Sequence, residues 1–145
     1  SADAQIGNWL SWQGVEFEAD GAAAAVKAHD LLARTVFYKV GHHGSHNGTL
    51  MQGGLEAMTH QGLVAVITVD QQFANSSKDW DMPQAMLYQA LLEKTGGRLL
   101  RADGTGPTAT DAGADRPISS DWESFGKRVR VDPGVPSRYV DYFLS

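Results

Sequence analysis

The sequence contains no cysteine. Disulfide staples and thiolate zinc sites are therefore excluded, and any metal has to be held by His, Asp, Glu or carbonyl oxygens. It also lacks a long apolar run. The longest, Ala22 to Val26 and Leu63 to Ile67 among them, fall far short of the roughly 20 residues that a membrane-spanning helix needs. Positive charge is scarce, 12 Lys and Arg standing against 17 Asp and Glu for a formal net charge of -5. That balance argues against a nucleic-acid surface as the main role. Arg98, Arg101, Lys127, Arg128 and Arg130 form a modest basic group, which reads as a solvated face. The opening residues SADAQIGNWLSW have no basic stretch leading into an apolar one, so they are no signal peptide. They have no initiating Met either, and they begin in what reads as structured sequence. The expectation is a fragment or processed piece of a longer protein, soluble and with a lean towards the cytoplasm.

What is present suits one globular domain over residues 1–145, with 42% apolar and 20% charged residues. Ile6, Trp9 and Leu10 have helical spacing, with Asp3 near the N-cap position. Val15 to Ala19 alternates like an edge strand, and the Ala-rich run Ala22 to Ala33 predicts a helix. Thr35 to Val40 is β-branched and aromatic and reads as a strand stopping at Gly41. Gly54 to His60 suggests a short helix, and Leu63 to Val69 a strand buried on both faces. Gln71 to Asp81 is polar and reads as a loop. Met82-Pro83 opens a helix with Met86, Leu87, Ala90 and Leu91 on one face, ended by Gly96-Gly97. Leu99 to Arg101, Val129 to Val131 and Tyr139 to Leu144 read as further strands, and 103–120 as a long surface loop. Alternating strands and helices predict an α/β architecture.

The stretch KVGHHGSHNGT, Lys39 to Thr49, holds most of the chain's five histidines. It follows a strand directly, where α/β sites tend to form. Its glycines let the backbone turn sharply and approach a ligand. Neutral imidazole is a favoured zinc ligand. On an extended chain adjacent side chains point to opposite sides, so only one of His42 and His43 is expected to face a given metal. Ser45, His46 and Asn47 could donate to an anionic or carbonyl oxygen. The competing reading is a polar structural loop that is merely rich in histidine. His29 and His60 fall on predicted helices and read as ordinary surface or core-edge residues.

Asp30-Leu31-Leu32, the strand Val36 to Val40 and then Gly41-His42-His43-Gly44-Ser45 together resemble the closing motif of metallo-β-lactamase-fold hydrolases. The doubled His followed by Gly-Ser resembles the branch that includes DNA-uptake competence proteins and phosphorylcholine esterases. Ala2-Asp3-Ala4, before Gln5-Ile6-Gly7-Asn8-Trp9, is similar to the family's Gly-Asp-Ala segment, with Ala2 where Gly is usual. The two motifs stand in the family's order, and the resemblance covers roughly residues 1 to 70. It implies that Asp3 bridges two zinc ions and that His42 is a ligand of the second, with His43 its rival for that place or a substrate contact. Asp3 and His42 would be the catalytic pair, and Ser45, His46 and Asn47 would lie near the substrate. A metal-activated water would then attack a phosphoester or other ester. Without the second motif, Asp3 would read as a plain helix cap.

The family's upstream His-x-His-x-Asp-His motif does not occur in this sequence. Two ligands do not make a stable two-metal site. The resemblance therefore implies the C-terminal half of an αββα sandwich, a mixed sheet with flanking helices, inactive and binding zinc weakly or not at all by itself. Its expected partners are the missing N-terminal half, an ester or other small-molecule substrate, and a second copy through an exposed apolar sheet face; no membrane is expected, and nucleic acid fits poorly. Whether it is an enzyme depends on that missing half. The alternative is a non-catalytic α/β binding or assembly module that keeps the histidine loop as structure.

Overall fold

A computed structural model of the chain describes residues 4–18, 21, 25–104, 119–134 and 139–144. Helix α1 (Ile6–Gln13) begins where the Gln5 amide donates to the Asn8 side chain at 3.1 Å. It buries Trp9 and leaves Leu10 58% exposed, so the apolar stripe seen in the sequence is used only in part. An antiparallel pair follows, β1 (Glu16–Phe17) with β2 (Val26–Lys27), and then helix α2 (Ala28–Ala33).

The predicted helix from Ala22 therefore begins late. Residues 22–24 lie outside the described set, and Val26 and Lys27 are extended. Val26 pairs opposite Phe17, Lys27 Nζ meets Glu16 at 3.1 Å, and Asp30 accepts the Lys27 amide at 2.9 Å to start the helix one residue on. Strand pairing and a cap override alanine's helical preference here.

Three parallel strands form the centre, β3 (Phe37–Lys39), β4 (Val64–Ile67) and β5 (Leu99–Arg101), in that order across the sheet. Their register sets Lys39 against Val66 and Ile67 against Arg101. Parallel neighbours need crossovers. The first carries the histidine loop and a wide turn at Met51–Leu55, which stands where a helix from Gly54 to His60 was expected. The second carries helices α3 (Gln71–Lys78) and α4 (Ala85–Thr95).

Helix α3 occupies the stretch that its polar composition marks as a loop. Asp70 caps it, accepting the Phe73 amide at 2.8 Å, and Asp79 ends it in the left-handed conformation at φ 54°. Helix α4 is capped by the Gln84 side chain on the Leu87 amide and closed by Gly96 at φ 57°. It buries Leu87, Leu91 and Thr95, whereas Met86, expected on the same face, is 78% exposed.

Alternation along the strands splits the core in two. Tyr38, Ala65, Ile67 and Leu99 pack on one face with Trp9, Leu32, Leu55, Met58, Leu87 and Leu91. Val64 and Leu100 face the other way and are covered by Phe125 and Trp122 of α5 (Ser119–Gly126), and by Val129, Val140 and Tyr142 of the antiparallel pair β6 (Val129–Val131) and β7 (Val140–Tyr142). Phe37 stacks on Tyr142 with centroids 5.7 Å apart. The expectation of an open apolar sheet face is corrected by this cover: the C-terminal segment folds back over it. Parallel and antiparallel pairings lie in separate sheets. Of the predicted loop 103–120, residues 105–118 lie outside the described set, and Ser119 already begins α5. Among the described residues no helix is long and apolar enough to cross a membrane.

Candidate functional site

Because β3 and β4 are parallel, the chain leaves both at the same sheet edge. After Val40 the backbone does not stay extended. His42, His43 and Gly44 adopt φ of 46°, 55° and 80°, and the tight turn is closed by Gly44 N–H on the Gly41 carbonyl and Ser45 N–H on the His42 carbonyl. Left-handed φ at two non-glycine residues costs of order 1–3 kcal/mol each, a strain that clusters at functional sites. The curl corrects the alternation rule for this pair. His42 and His43 both line one cavity of about 660 Å³ beside Thr68, Asp70, Phe73 and Trp80.

The two imidazoles are held alike. His43 Nδ1 lies 2.6 Å from the Thr68 carbonyl oxygen, which can only accept, so Nδ1 carries the proton. His42 Nδ1 lies 3.0 Å from Asn47 Oδ1 and 2.9 Å from Ser45 Oγ, while Ser45 Oγ itself donates to Asn47 Oδ1 at 2.8 Å. With the hydroxyl proton spent on Asn47, His42 Nδ1 is the donor to both oxygens. In the neutral rings each Nε2 is therefore a lone pair, and neither has a hydrogen-bond partner among the described residues. An imidazole oriented through its far nitrogen is the arrangement of a metal ligand or a general base.

The loop is braced from behind. Ile6 N–H of α1 donates to the Asn47 carbonyl at 3.0 Å, and Trp9 Nε1 to the Gly48 carbonyl at 3.3 Å. Tyr38 meets Thr49 at 2.8 Å, hydroxyl to hydroxyl, and Trp9 sits edge-on to Tyr38. Burial pushes the Tyr38 phenol above its ordinary range, with the Thr49 bond offsetting part of the rise. A Cβ on Gly48 would lie 2.4 Å from the Gly41 carbonyl oxygen, so only glycine closes the loop there. On the far side Gly44, where a Cβ would come 3.0 Å from Pro83, gives its carbonyl to the Gln84 amide at 2.9 Å.

Of the residues predicted from sequence, His42 and His43 share the cavity, and Ser45 and Asn47 stand behind His42 as positioning residues. Ser45 is buried, 4% exposed. His46 is exposed and lines a different cavity of about 520 Å³, with Gln84, Met86 and Glu93. Asp3 lies outside the described residues. His60 is not on a helix; its Nδ1 accepts the Gly62 amide. Sequence reading missed Thr68, Asp70, Phe73 and Trp80. An acidic residue directly after a buried parallel strand was the available signal, since such strands deliver their next residues to this edge.

The donor chemistry at His42 and His43 suits zinc, for both offer a bare Nε2 with an oriented ring. The described residues contain no group of three or more His, Asp or Glu side chains able to hold a metal. These two imidazoles are thus part of a ligand set at most. Compared with protein-family models, curated proteins and solved structures, the chain matches none.

Proposed function

We propose that this chain is the C-terminal part of a metal-dependent hydrolase with a metallo-β-lactamase-like fold, acting on a phosphoester or other ester. The observation that carries the reading is the pair His42 and His43, bent into one cavity at a parallel-sheet edge, each with Nδ1 spent on a neighbour and Nε2 free. Asp3 is the proposed carboxylate donor beside them. It is supported by the resemblance of Ala2-Asp3-Ala4 to the family's bridging segment.

His42 and Asp3 would hold zinc, with His43 as a rival ligand or a contact to substrate. Bound there, the metal supplies a water of lowered pKa and stabilises developing negative charge. The chain's own part is to fix geometry. Asn47 and Ser45 keep His42 in its Nδ1–H form, the Thr68 carbonyl does the same for His43, and α1 and Gly48 hold the loop that carries both. The remaining donors are proposed to come from the N-terminal half of the sandwich, since no His-x-His occurs in this sequence. A module that keeps the histidine loop only as structure is the reading favoured by the small number of donors among the described residues.

Metal content and ester turnover of the natural full-length protein decide between them. Asp3→Ala and His42→Ala should each remove bound zinc and abolish turnover while the far-ultraviolet circular dichroism stays unchanged. Full metal content and activity in both variants would end the assignment. A His42→Ala protein altered only in stability would favour the structural loop.

A further inference from the structure

The cavity that takes both histidines has a second wall, and that wall is aromatic. Phe73 on α3 and Trp80 just after it are each 52% exposed, and both line the cavity together with Met82. Its main chain is hydrogen-bonded in the turn after α3. Asn75, with its amide nitrogen turned to the main chain, donates to the carbonyls of Trp80 and Met82; the Trp80 amide bonds Ala74 and the Met82 amide bonds Trp80. Directly beyond, Gln84 is tied to Gly44 of the histidine turn. The main chain that carries Trp80 is thus tied to α3 on one side and, through Gln84, to the histidine turn on the other.

The charges say what kind of group belongs there. The cavity's titratable lining is His42, His43 and Asp70. No Lys or Arg lines it among the described residues; Lys78 has its ammonium 5.8 Å from the Phe73 ring centre. The lining thus offers one carboxylate, that of Asp70, and the Lys78 ammonium lies at its aromatic side. A flat apolar group would find exposed aromatic surface there, on Phe73 and Trp80. The volume, about 660 Å³, is that of a small-molecule site.

We propose that Phe73 and Trp80 form a binding subsite for a flat, apolar group of the substrate, an aryl or similar ring. The claim rests on the hydrolase reading only for the word substrate; the subsite itself is a binding property of this chain.

Binding is measured by isothermal titration of the chain, with and without zinc, against phenylphosphonate and methylphosphonate. Phenylphosphonate should bind about tenfold more tightly, a modest return for stacking one ring. Trp80→Ala should reduce that preference to near unity, Trp80→Phe should keep most of it, and Met86→Ala, in the other cavity, should leave it intact. Equal affinity for the two probes overturns the proposal, as does no detectable binding of phenylphosphonate, or a preference that survives Phe73→Ala combined with Trp80→Ala in a folded protein. Aryl preference without ester turnover in the full-length protein upholds the subsite and sinks the hydrolase. Turnover with equal kcat/KM for phenyl and methyl esters does the reverse.

Discussion

Asn47 Oδ1 lies 3.0 Å from His42 Nδ1 and receives the hydroxyl proton of Ser45 at 2.8 Å. One amide oxygen thereby fixes both the ring and the tautomer of the histidine five residues before it. The same backbone turn that sets up this contact swings His43 onto the Thr68 carbonyl.

Both histidines should therefore appear as Nδ1–H tautomers in nitrogen-15 NMR of the neutral rings. Asn47→Leu should mix the tautomers of His42 and leave His43 unchanged. In the zinc-loaded full-length protein the same substitution should weaken metal affinity about 10- to 100-fold, as loss of an outer-shell partner generally does. An unaltered His42 spectrum in Asn47→Leu would contradict the assignment.

Gly48→Ala should destabilise the chain by about 1–3 kcal/mol. The added Cβ would stand 2.4 Å from the Gly41 carbonyl oxygen, which is main chain and has little room to move. Urea unfolding should show a lower midpoint with an unchanged slope. Gly7→Ala, where a Cβ meets nothing within 4 Å, is the matched control and should be neutral or mildly stabilising in α1.

Tyr38 makes stability fall at high pH. Its folded pKa is raised by burial, so the folded phenol keeps its proton after the unfolded one, near pH 10, has lost it. The contribution is present in full below about pH 10 and is lost as pH rises through the folded value. Tyr38→Phe should cost some stability at neutral pH through the lost Thr49 bond. It should also flatten the decline between about pH 9 and pH 11, measured as urea midpoints. Parallel declines in both proteins would count against it.

Phe125 is the lid over the second sheet face. It is 4% exposed and packs on Val64 and Leu100. Phe125→Ala should cost about 3–5 kcal/mol. By uncovering apolar strand surface it should also raise self-association, read by sedimentation velocity. A monomeric variant of near-parental stability would show that the cover contributes little.

The elements that could be read in advance were those whose signal is local. Phe37 to Lys39 lies within the β-branched and aromatic run Thr35 to Val40, and Val64 to Ile67 within the nearly all-apolar run Leu63 to Val69; both are strands. The helix closing at Gly96 needs a left-handed residue, which glycine supplies. Helix α3 was illegible because Phe73 and Ala74 are its only apolar residues; its start depends on a cap at Asp70 and on Ala74 finding a place in the core. Val26 and Lys27 were misread because the partner strand that extends them lies across a turn.

Composition and motif alone determined that no thiolate takes part, that the fold is α/β, and that a strand delivers a pair of histidines to a glycine-rich turn. Residue identity and short-range spacing suffice for such statements. Only the tertiary structure decided that the pair curls into one cavity, that Asn47 and Ser45 serve His42, and that Phe73 and Trp80 stand opposite. Those facts depend on left-handed φ at two histidines and on contacts between segments remote in the chain. Their energies come from packing and hydrogen bonds that the linear order of residues does not express.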